Sequence, residues 1–415
     1  MLKLYGPVLG IVAGVTLLQL ANTIFAVLLP LELVAAGFSG TTAGLVATAY
    51  GLGFLAGCRF AHRLIRDVGH IRAFAVQAAI CAVVALLFAR TQQVALWFLL
   101  RLVMGFCQAG LFTVVEGWLS AATRPEARGR VLAFYLVTTK VAIVGAQLGL
   151  GHAVAPAAGW LELAGAVFMT ALIPVALTRT AEPPPPRLHL LRARDLFRLA
   201  PAAIVGCAAS GLINSAVIGL TPVFGAQLGL SVAHIVWLLT AIQLGSLALQ
   251  WPLGRLSDRL DRRLIVLGCA LAVALISLLI LLAGRHEAAL AALFFLWGGA
   301  ALSYYAVCVA HAGDHAEPDQ MVGVSSGCLL AWAAGAALGP STAAPFLDLL
   351  GPRGLFLYVL AIATTLAAFV AWRMSRRAPV PATAREGFVN LPATSPALAE
   401  IDPRVPGRRP EGGGA

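Results

Sequence analysis

Long apolar segments separated by short polar connections run along most of the chain. Each segment is close to the roughly 20 residues that an α-helix needs to cross the hydrocarbon core of a bilayer. The first is too long for a removed signal peptide and lacks a small-residue cleavage pattern, so we expect it to be retained. The pattern predicts an all-α membrane protein with twelve transmembrane segments, at residues 8–30, 41–62, 71–90, 94–120, 130–152, 157–178, 200–224, 232–253, 264–284, 288–311, 321–346 and 354–372.

The two halves of this pattern repeat each other at an offset of about 190 residues. Asp67 is followed five residues later by Arg72, and Asp258 is followed five residues later by Arg263. Other pairs recur at nearly the same offset: Asn22 with Asn214, Pro30 with Pro222, Gly145 with Gly335, and Gly149 with Gly339. Parallel repeats in a polytopic membrane protein are typical of secondary transporters. We therefore interpret the chain as a duplicated six-helix unit.

The repeat predicts an N-terminal six-helix bundle at residues 1–179 and a C-terminal six-helix bundle at residues 199–373. Residues 180–198 form the linker, in which a run of prolines cannot be helical and the following arginines and leucines suit a short helix on anionic lipid. Residues 374–415 are rich in Pro, Arg and Gly and poor in apolar residues. We therefore expect this tail to be disordered.

The charged residues predict the orientation of the chain in the membrane. Only 11% of residues are charged, against roughly 25% in ordinary soluble domains. The net charge of +11 is compatible with nucleic-acid binding, but nineteen cations lie on the side of the N-terminus and three lie opposite, namely Arg90, Arg285 and Arg353. Because cytoplasmic loops carry an excess of Lys and Arg, we expect both termini to be cytoplasmic and nucleic acid not to be a partner.

Several function classes find no support in the sequence. The seven cysteines lie in or at the ends of apolar segments without metal-type spacing, so we interpret them as small core residues. No Walker pattern, His-Glu-x-x-His or Cys-x-x-Cys occurs, and the few acids within the segments do not cluster as catalytic groups would. We expect no cofactor, no metal and no enzymatic activity.

Motifs in the polar connections resemble those of the major facilitator superfamily over residues 1–375. Residues 254–263 resemble its cytoplasmic motif Gly-x-x-x-Asp-Arg-x-x-Arg-Arg, whereas the first-half copy has Arg63 in place of the glycine. Arg101 and Gly105 resemble a fourth-helix motif common in proton-coupled members, and residues 126–130 resemble the loop before the fifth helix. Together with Glu116-x-Trp118-Leu119, these motifs look like a poorly characterised bacterial branch of the superfamily.

The resemblance implies a monomeric transporter in the bacterial inner membrane, whose two bundles rock around a central cavity. Few charges lie in the apolar segments, which favours proton-coupled export of a small amphipathic organic molecule. Uptake of a small polar metabolite or sugar is the alternative. A transport-like receptor or regulator is a third possibility, although such proteins usually carry an additional folded cytoplasmic domain.

The charged hairpins are the candidate gating elements. We expect Asp258 to accept hydrogen bonds at a helix N-terminus while Arg262 and Arg263 reach lipid phosphate or a facing carboxylate, so that the charges hold the two halves together in one state. Simple anchoring of the loops at the lipid headgroups is the alternative interpretation. The candidate gating residues are Asp67, Arg72, Arg128, Arg130, Gly254, Asp258, Arg259, Arg262 and Arg263.

Arg101, Glu116 and Lys140 are ionisable residues inside apolar segments, where an unpaired charge is costly. Arg101 either tunes a proton-carrying carboxylate, grips an anionic solute or extends outward to the membrane surface. Glu116 is either neutralised by Arg128 or Arg130 in a structural pair or binds a proton. Lys140 lies close to mid-membrane and either lines the cavity or forms a buried pair.

Neutral polar residues complete the candidate solute cavity. Asn22 and Asn214 stand at equivalent repeat positions, which suits a pseudo-symmetric central site. Such side chains bind a solute or connect neighbouring helices through hydrogen bonds. The full candidate set is Gln19, Asn22, Arg101, Glu116, Lys140, Gln147, Asn214 and Gln243.

Overall fold

The structure is a computed structural model that describes residues 2–152, 157–178, 183, 191–317, 320–381, 385, 387–402 and 404. Within these residues it is all-helical. The helices are α1 (Leu2–Ala35), α2 (Gly40–Val68), α3 (His70–Arg90), α4 (Val94–Ala122), α5 (Arg128–Gly151), α6 (Ala157–Thr170), α7 (Leu172–Ala176), α8 (Ala193–Leu199), α9 (Pro201–Gln227), α10 (Val232–Arg259), α11 (Arg262–Ala283), α12 (Glu287–Gly313), α13 (Met321–Leu350) and α14 (Arg353–Arg376). Short 3-10 helices lie at Pro125–Ala127 and Pro396–Ile401.

The described residues contain twelve helical spans long and apolar enough to cross a membrane, with α6 and α7 forming one of them. The predicted all-α architecture is therefore confirmed. Two helices extend well past their predicted ends, α2 to Val68 and α10 to Arg259. Apolar composition ends where the hydrocarbon ends, but the backbone hydrogen bonds of a helix continue into water. Asp67 and Asp258 consequently lie on helix ends rather than in loops.

The short helix α8 occupies part of the predicted linker. Its Leu196 is buried and packs against Gly327 of α13, whereas Phe197 is exposed. Residues 179–182 and 184–190, which include most of the proline run, lie outside the described residues. The seven cysteines are free and buried, as expected for small core residues.

The two halves repeat the same close helix contact. In the first half, Gly53 of α2 packs on the backbone of α4 at Leu102, and Gly105 packs on α2 at Tyr50. In the second half, Gly245 of α10 packs on α12 at Phe295, and Gly298 of α12 packs on α10 at Ile242. A Cβ at any of these four glycines would overlap the facing backbone, so the repeat seen in the sequence has a counterpart in the packing.

The helices alternate in direction, which divides the bundle into two faces. We call the side where α2, α4, α10, α12 and α14 end the tail face, because the C-terminal tail begins there, and the opposite side the far face. The named contacts between the halves run from mid-depth to the far face, where α2 packs on α13 and α5 packs on α10.

The tail differs from the predicted disorder. Residues 387–402, which we call the tail segment, pack between the two halves at the tail face, and Leu391, Ala397, Leu398 and Ile401 are buried. The average composition of residues 374–415 conceals this short apolar run, which buries its side chains only because the bundle provides a cleft. Residues 382–384, 386, 403 and 405–415 lie outside the described residues.

Candidate solute pathway between the two halves

At the far face, Asp348 of α13 caps the N-terminus of α2. One carboxylate oxygen accepts from the Gly40 amide at 2.8 Å, and the other accepts from the Thr41 amide at 2.8 Å and the Thr41 hydroxyl at 2.6 Å. The first amides of a helix have no partner within the helix and favour a negative charge. Asp348 therefore joins the two halves through a charge–helix contact that the sequence analysis missed.

Below this cap, small residues let α2 and α13 approach closely. Added side chains at Gly44 and Gly51 would meet Ala344 and Ala337 of α13, the latter with only 2.5 Å between Cβ and Cα. Thr48 accepts a hydrogen bond from the Ser341 amide at 3.1 Å. The far-face half of this helix pair is thus closed by direct contact.

The second cross-half contact lies between α5 and α10 and involves three predicted site residues. The Lys140 ammonium donates to the Gln243 side-chain oxygen at 2.6 Å. About two helical turns of α5 nearer the far face, the Thr240 hydroxyl donates to the Gln147 side-chain oxygen at 3.3 Å. Lys140 is twelve residues from the start of α5, which places it ~18 Å from the tail-face end of that helix. Lys140, which is partly buried, therefore connects the halves near mid-depth.

An aromatic cluster crosses the same boundary between α2 and α13. Phe54 and Trp332 meet edge-on with ring centroids 6.3 Å apart. Tyr305 of α12 contacts Trp332 at 6.2 Å, and Tyr50 stacks on Phe54 at 6.4 Å. Phe54 is fourteen residues from either end of α2, so the cluster lies at mid-depth. Sequence reasoning did not select these residues, because aromatic side chains are common in helical cores.

Arg101 lies beside this cluster and points inward rather than toward the membrane surface. Its side chain is 93% buried, with 7% relative exposure, and its guanidinium carbon lies 4.6 Å from the Tyr50 ring centroid. A terminal nitrogen also contacts the Met104 sulfur at 3.8 Å. None of the described carboxylates forms an ion pair with it. Its positive charge is thus held by a cation–π contact.

Glu116 is fully buried on α4 and has hydroxyl groups as its partners, rather than Arg128 or Arg130. Tyr135 of α5 donates to one carboxylate oxygen at 2.5 Å. Thr394 and Ser395 of the tail segment donate to the carboxylate as well, each at 2.5 Å. The structural pair considered in the sequence analysis is therefore absent from the described residues, and the tail supplies two of the three donors.

The remaining neutral candidates have different surroundings. Asn214 is buried and donates to the Ser210 hydroxyl at 3.0 Å and the Ala301 carbonyl at 3.2 Å, which connects α9 to α12. Asn22, its repeat equivalent, is only partly buried, as is Gln19 on the same helix. The two asparagines therefore share a sequence position but not an environment.

The second-half hairpin forms an extensive charge network. Arg262 is 1% exposed and pairs with Asp314 at 2.7 Å, and its distance to Asp258 is 4.0 Å. Asp258 also accepts from the Phe388 amide of the tail segment at 2.8 Å. These contacts lie within the second half and the tail.

Asp261 caps α11 and pairs with Arg263 at 2.7 Å. Burial opposes ionisation of Asp261, but the hydrogen bonds from Arg263 outweigh it and lower the pKa of that carboxyl.

The first-half hairpin is solvated by comparison. Asp67 pairs with the adjacent Arg66 at 3.2 Å, and both side chains are exposed. Arg72, Arg130 and, in the second half, Arg259 are also exposed. Arg128 reaches the Asp402 carbonyl at 3.5 Å. In this state of the protein, the described gating candidates of the first half contact the tail or solvent.

Comparison with known proteins agrees with this architecture. Residues 11–236 and 203–403 match the family model of the Major Facilitator Superfamily. The protein named uncharacterized MFS-type transporter YcaD from Salmonella dublin is 27% identical over 359 residues, covering 86% of this chain and 93% of the relative. The same protein from Salmonella newport is also 27% identical over the same shares of the two chains.

Solved structures share the fold at low sequence identity. The nucleoside transporter NupG aligns with a TM-score of 0.75 at 13% identity, covering 89% of this chain and all of NupG. A bacterial homologue of the human lysosomal transporter Spinster, in an inward-facing and occupied conformation, aligns with a TM-score of 0.67 at 17% identity over 91% of this chain and 97% of that one.

Twelve helical spans and a duplicated six-helix unit, whose halves meet at mid-depth and at the far face, form the architecture of a secondary transporter. The chain belongs to the Major Facilitator Superfamily.

Proposed function

We propose that this protein exports a small organic solute containing a planar or apolar ring, in exchange for protons. It would act as a monomer in the bacterial inner membrane, with the tail face in the cytoplasm. The observation that carries the proposal is the aromatic cluster at mid-depth, in which Phe54 of one half meets Trp332 of the other. Rings at this boundary offer apolar area and specific edge-to-face contacts to a solute ring.

Alternating access explains why the site lies on the boundary. The far face is closed by Asp348 and Thr48, and the pair of Lys140 with Gln243 joins the halves near mid-depth. When the halves rock, these contacts separate and the ring faces of Phe54 and Trp332 become accessible from the other side. A solute that binds both halves is thereby moved from one face to the other.

Lys140 is our candidate for proton coupling. Its ammonium bonds across the halves to Gln243, so its charge state and the contact between α5 and α10 are linked. An ammonium at mid-membrane requires a partner or water. Loss of the Gln243 contact during rocking would favour release of the proton, which connects proton movement to the conformational change.

Uptake of a nucleoside-like solute is the second candidate. NupG, whose fold is similar, is a nucleoside transporter. A nucleoside carries a planar ring that suits Phe54 and Trp332, and hydroxyl groups that suit the buried Glu116 carboxylate. Both candidates use the same cluster and differ in direction and in solute chemistry.

The direct test is transport by the purified protein in lipid vesicles with an imposed pH gradient. A panel of ring-containing drugs, nucleosides and sugars is scored for solute movement and for proton movement. Phe54→Leu and Trp332→Leu should each weaken transport about tenfold, because an aromatic contact and its burial contribute on the order of 1–2 kcal/mol. Trp372→Leu, an exposed residue of α14, is the matched control.

Two outcomes would overturn the proposal. If neither leucine variant affects transport, the solute does not bind at the aromatic cluster. If the solute moves only toward the tail face, the protein is an uptake transporter. The orientation is tested separately with a reporter fused after Arg377. If a reporter that is active only in the periplasm shows activity at this position, the tail face is not cytoplasmic.

A further inference from the structure

The tail segment lies between the two halves at the tail face and contacts both of them. On the first half, Glu116 accepts from Thr394 and Ser395, and Arg128 reaches the Asp402 carbonyl. The tail segment is therefore bound by buried groups of α4 and by the start of α5.

The second half binds the same segment from the other side. The Phe388 amide donates to Asp258 at 2.8 Å, and Gln250 donates to the Asn390 side-chain oxygen at 2.5 Å. Gly254 packs directly on the Phe388 ring, and a Cβ at this glycine would overlap the ring. Three of the predicted gating residues therefore contact the tail segment: Asp258 and Gly254 in the second half and Arg128 in the first.

The apolar side of the segment reaches the aromatic cluster. A small cavity is lined by Tyr305 and Leu329 of the second half together with Leu391 and Pro392 of the tail. Tyr305 is also the neighbour of Trp332 within the cluster. The tail segment therefore lies on the route from the tail face to the proposed solute site.

Polar complementarity distinguishes this arrangement from loose packing. Glu116 is fully buried, and a buried carboxylate is costly unless hydrogen bonds satisfy it. Two of its three donors come from the tail. Withdrawal of the segment leaves Glu116 to water or to another ligand that carries hydroxyl groups.

We propose that the opening at the tail face is a binding site for the chain's own residues 387–402, which act as an autoinhibitory segment. The segment blocks the route at the tail face while the helices close the far face. By filling the gap between the halves at the tail face, it keeps the halves apart there. Solute passage requires it to leave. This proposal rests on the proposed transport function for its consequence, but the binding itself is measurable without transport.

Thermodynamic linkage determines which conformational state the tail segment favours. The segment binds only when the halves are apart at the tail face, so it favours that state by its own binding free energy. It is tethered to α14 by a short connection, which gives it an effective concentration of roughly millimolar order. A weak intrinsic affinity is therefore sufficient to keep the site filled, and a solute or a partner of the tail can displace it.

The test is thiol accessibility in the full chain. Ala397 is 4% exposed within the segment, and Ala378 is exposed just after α14. Cysteines are introduced at one position at a time, and reaction with a membrane-impermeant maleimide is followed in membranes that present the tail face. The parent chain, whose seven cysteines are buried, sets the background. Ala397→Cys should react at least tenfold more slowly than Ala378→Cys, because it reacts only when the segment opens.

A second substitution releases the segment. Gly254→Ala displaces Phe388 and should raise the reaction rate of the cysteine at position 397 roughly tenfold, which corresponds to about 1.4 kcal/mol. Gly268→Ala on α11 is the matched control, because a Cβ there meets nothing within 4 Å. The combined change Thr394→Val and Ser395→Ala should act like Gly254→Ala.

Equal reaction rates at positions 378 and 397 in the resting protein would overturn the proposal. So would a protected position 397 that is unaffected by Gly254→Ala and by the paired tail substitutions. If protection and release occur as stated but no variant transports any solute, the proposed function fails while the autoinhibitory binding remains.

Discussion

The two faces of the bundle are closed in different ways. At the far face, helices of the two halves touch directly, with Asp348 capping α2 and small residues bringing α2 and α13 together. At the tail face, the tail segment binds both halves through Glu116 and Asp258. One closure is intrinsic to the helices, whereas the other is made by a separate piece of the chain.

This difference separates two functions that a rocking transporter must combine. Direct helix contacts are part of the conformational change, because they form in one state and separate in the other. The departure of an inserted segment breaks contacts to the tail but no direct contact between helices of the two halves. The far face is therefore suited to set the transport cycle, and the tail face is suited to regulate it.

The largest expected effect concerns the helix contact at mid-depth. Lys140→Ala should abolish transport or uncouple it from protons, because it removes both the cation at mid-depth and the bond to Gln243. Lys140→Arg should restore activity only in part, since arginine keeps the charge but does not release its proton. Both are measured in vesicles with a pH gradient, with the exposed neighbour variant Val141→Ala as the control. Equal activity of wild type, Ala and Arg variants would remove Lys140 from the cycle.

The far-face cap should give the next largest effect. Asp348→Asn removes a charge that accepts three hydrogen bonds at the start of α2. Hydrogen bonds to charged groups contribute about 1.5–3 kcal/mol, so the ratio of far-face-closed to far-face-open protein should fall by roughly tenfold or more. Accessibility of a cysteine at Thr48 measures this opening, and Glu162→Gln, an exposed far-face acid, is the control. Unchanged accessibility would show that small-residue packing alone closes this face.

Removal of residues 387–415 should have a smaller and opposite effect. Initial transport rates should rise several-fold, because the segment no longer competes for the open tail face. Rates and expression are compared with a chain that lacks only residues 405–415. A lower rate in the longer deletion alone would assign the tail segment a structural role rather than an inhibitory one.

Asp258→Asn should produce the smallest effect. The residue is partly exposed, and a surface charge contributes little to core stability, so expression and folding should be nearly unchanged. Transport should nevertheless rise about two- to threefold, since the substitution weakens both the bond to the Phe388 amide, which helps to hold the tail segment, and the contact to Arg262. The change should be larger in the full chain than in the chain that lacks residues 387–415. If Asp258→Asn transports at the wild-type rate in the full chain and in the chain that lacks residues 387–415, the hairpin serves only as a topological anchor.

Part of the candidate site could be predicted from the positions of polar residues along the apolar segments. Lys140, Gln147 and Gln243 were selected because polar groups at these positions in apolar helices require partners. Their pairing across α5 and α10 was not predictable, because it depends on the rotation and tilt of two helices about 100 residues apart in sequence. Asp348 was missed because an acid near a helix end has an ordinary explanation in solvation.

The sequence by itself determined the twelve spans, because the length of an apolar segment is a local property that must match the thickness of the bilayer. It also determined the duplication, because the repeated residues are present in the sequence itself. Only the tertiary structure decided which polar groups meet, and it gave Asn22 and Asn214 different surroundings despite their equivalent positions. It also decided the fate of the tail. Residues 387–402 are too short and too polar to form a core of their own, and they are ordered because the bundle offers a cleft with the buried carboxylate of Glu116 and an apolar wall.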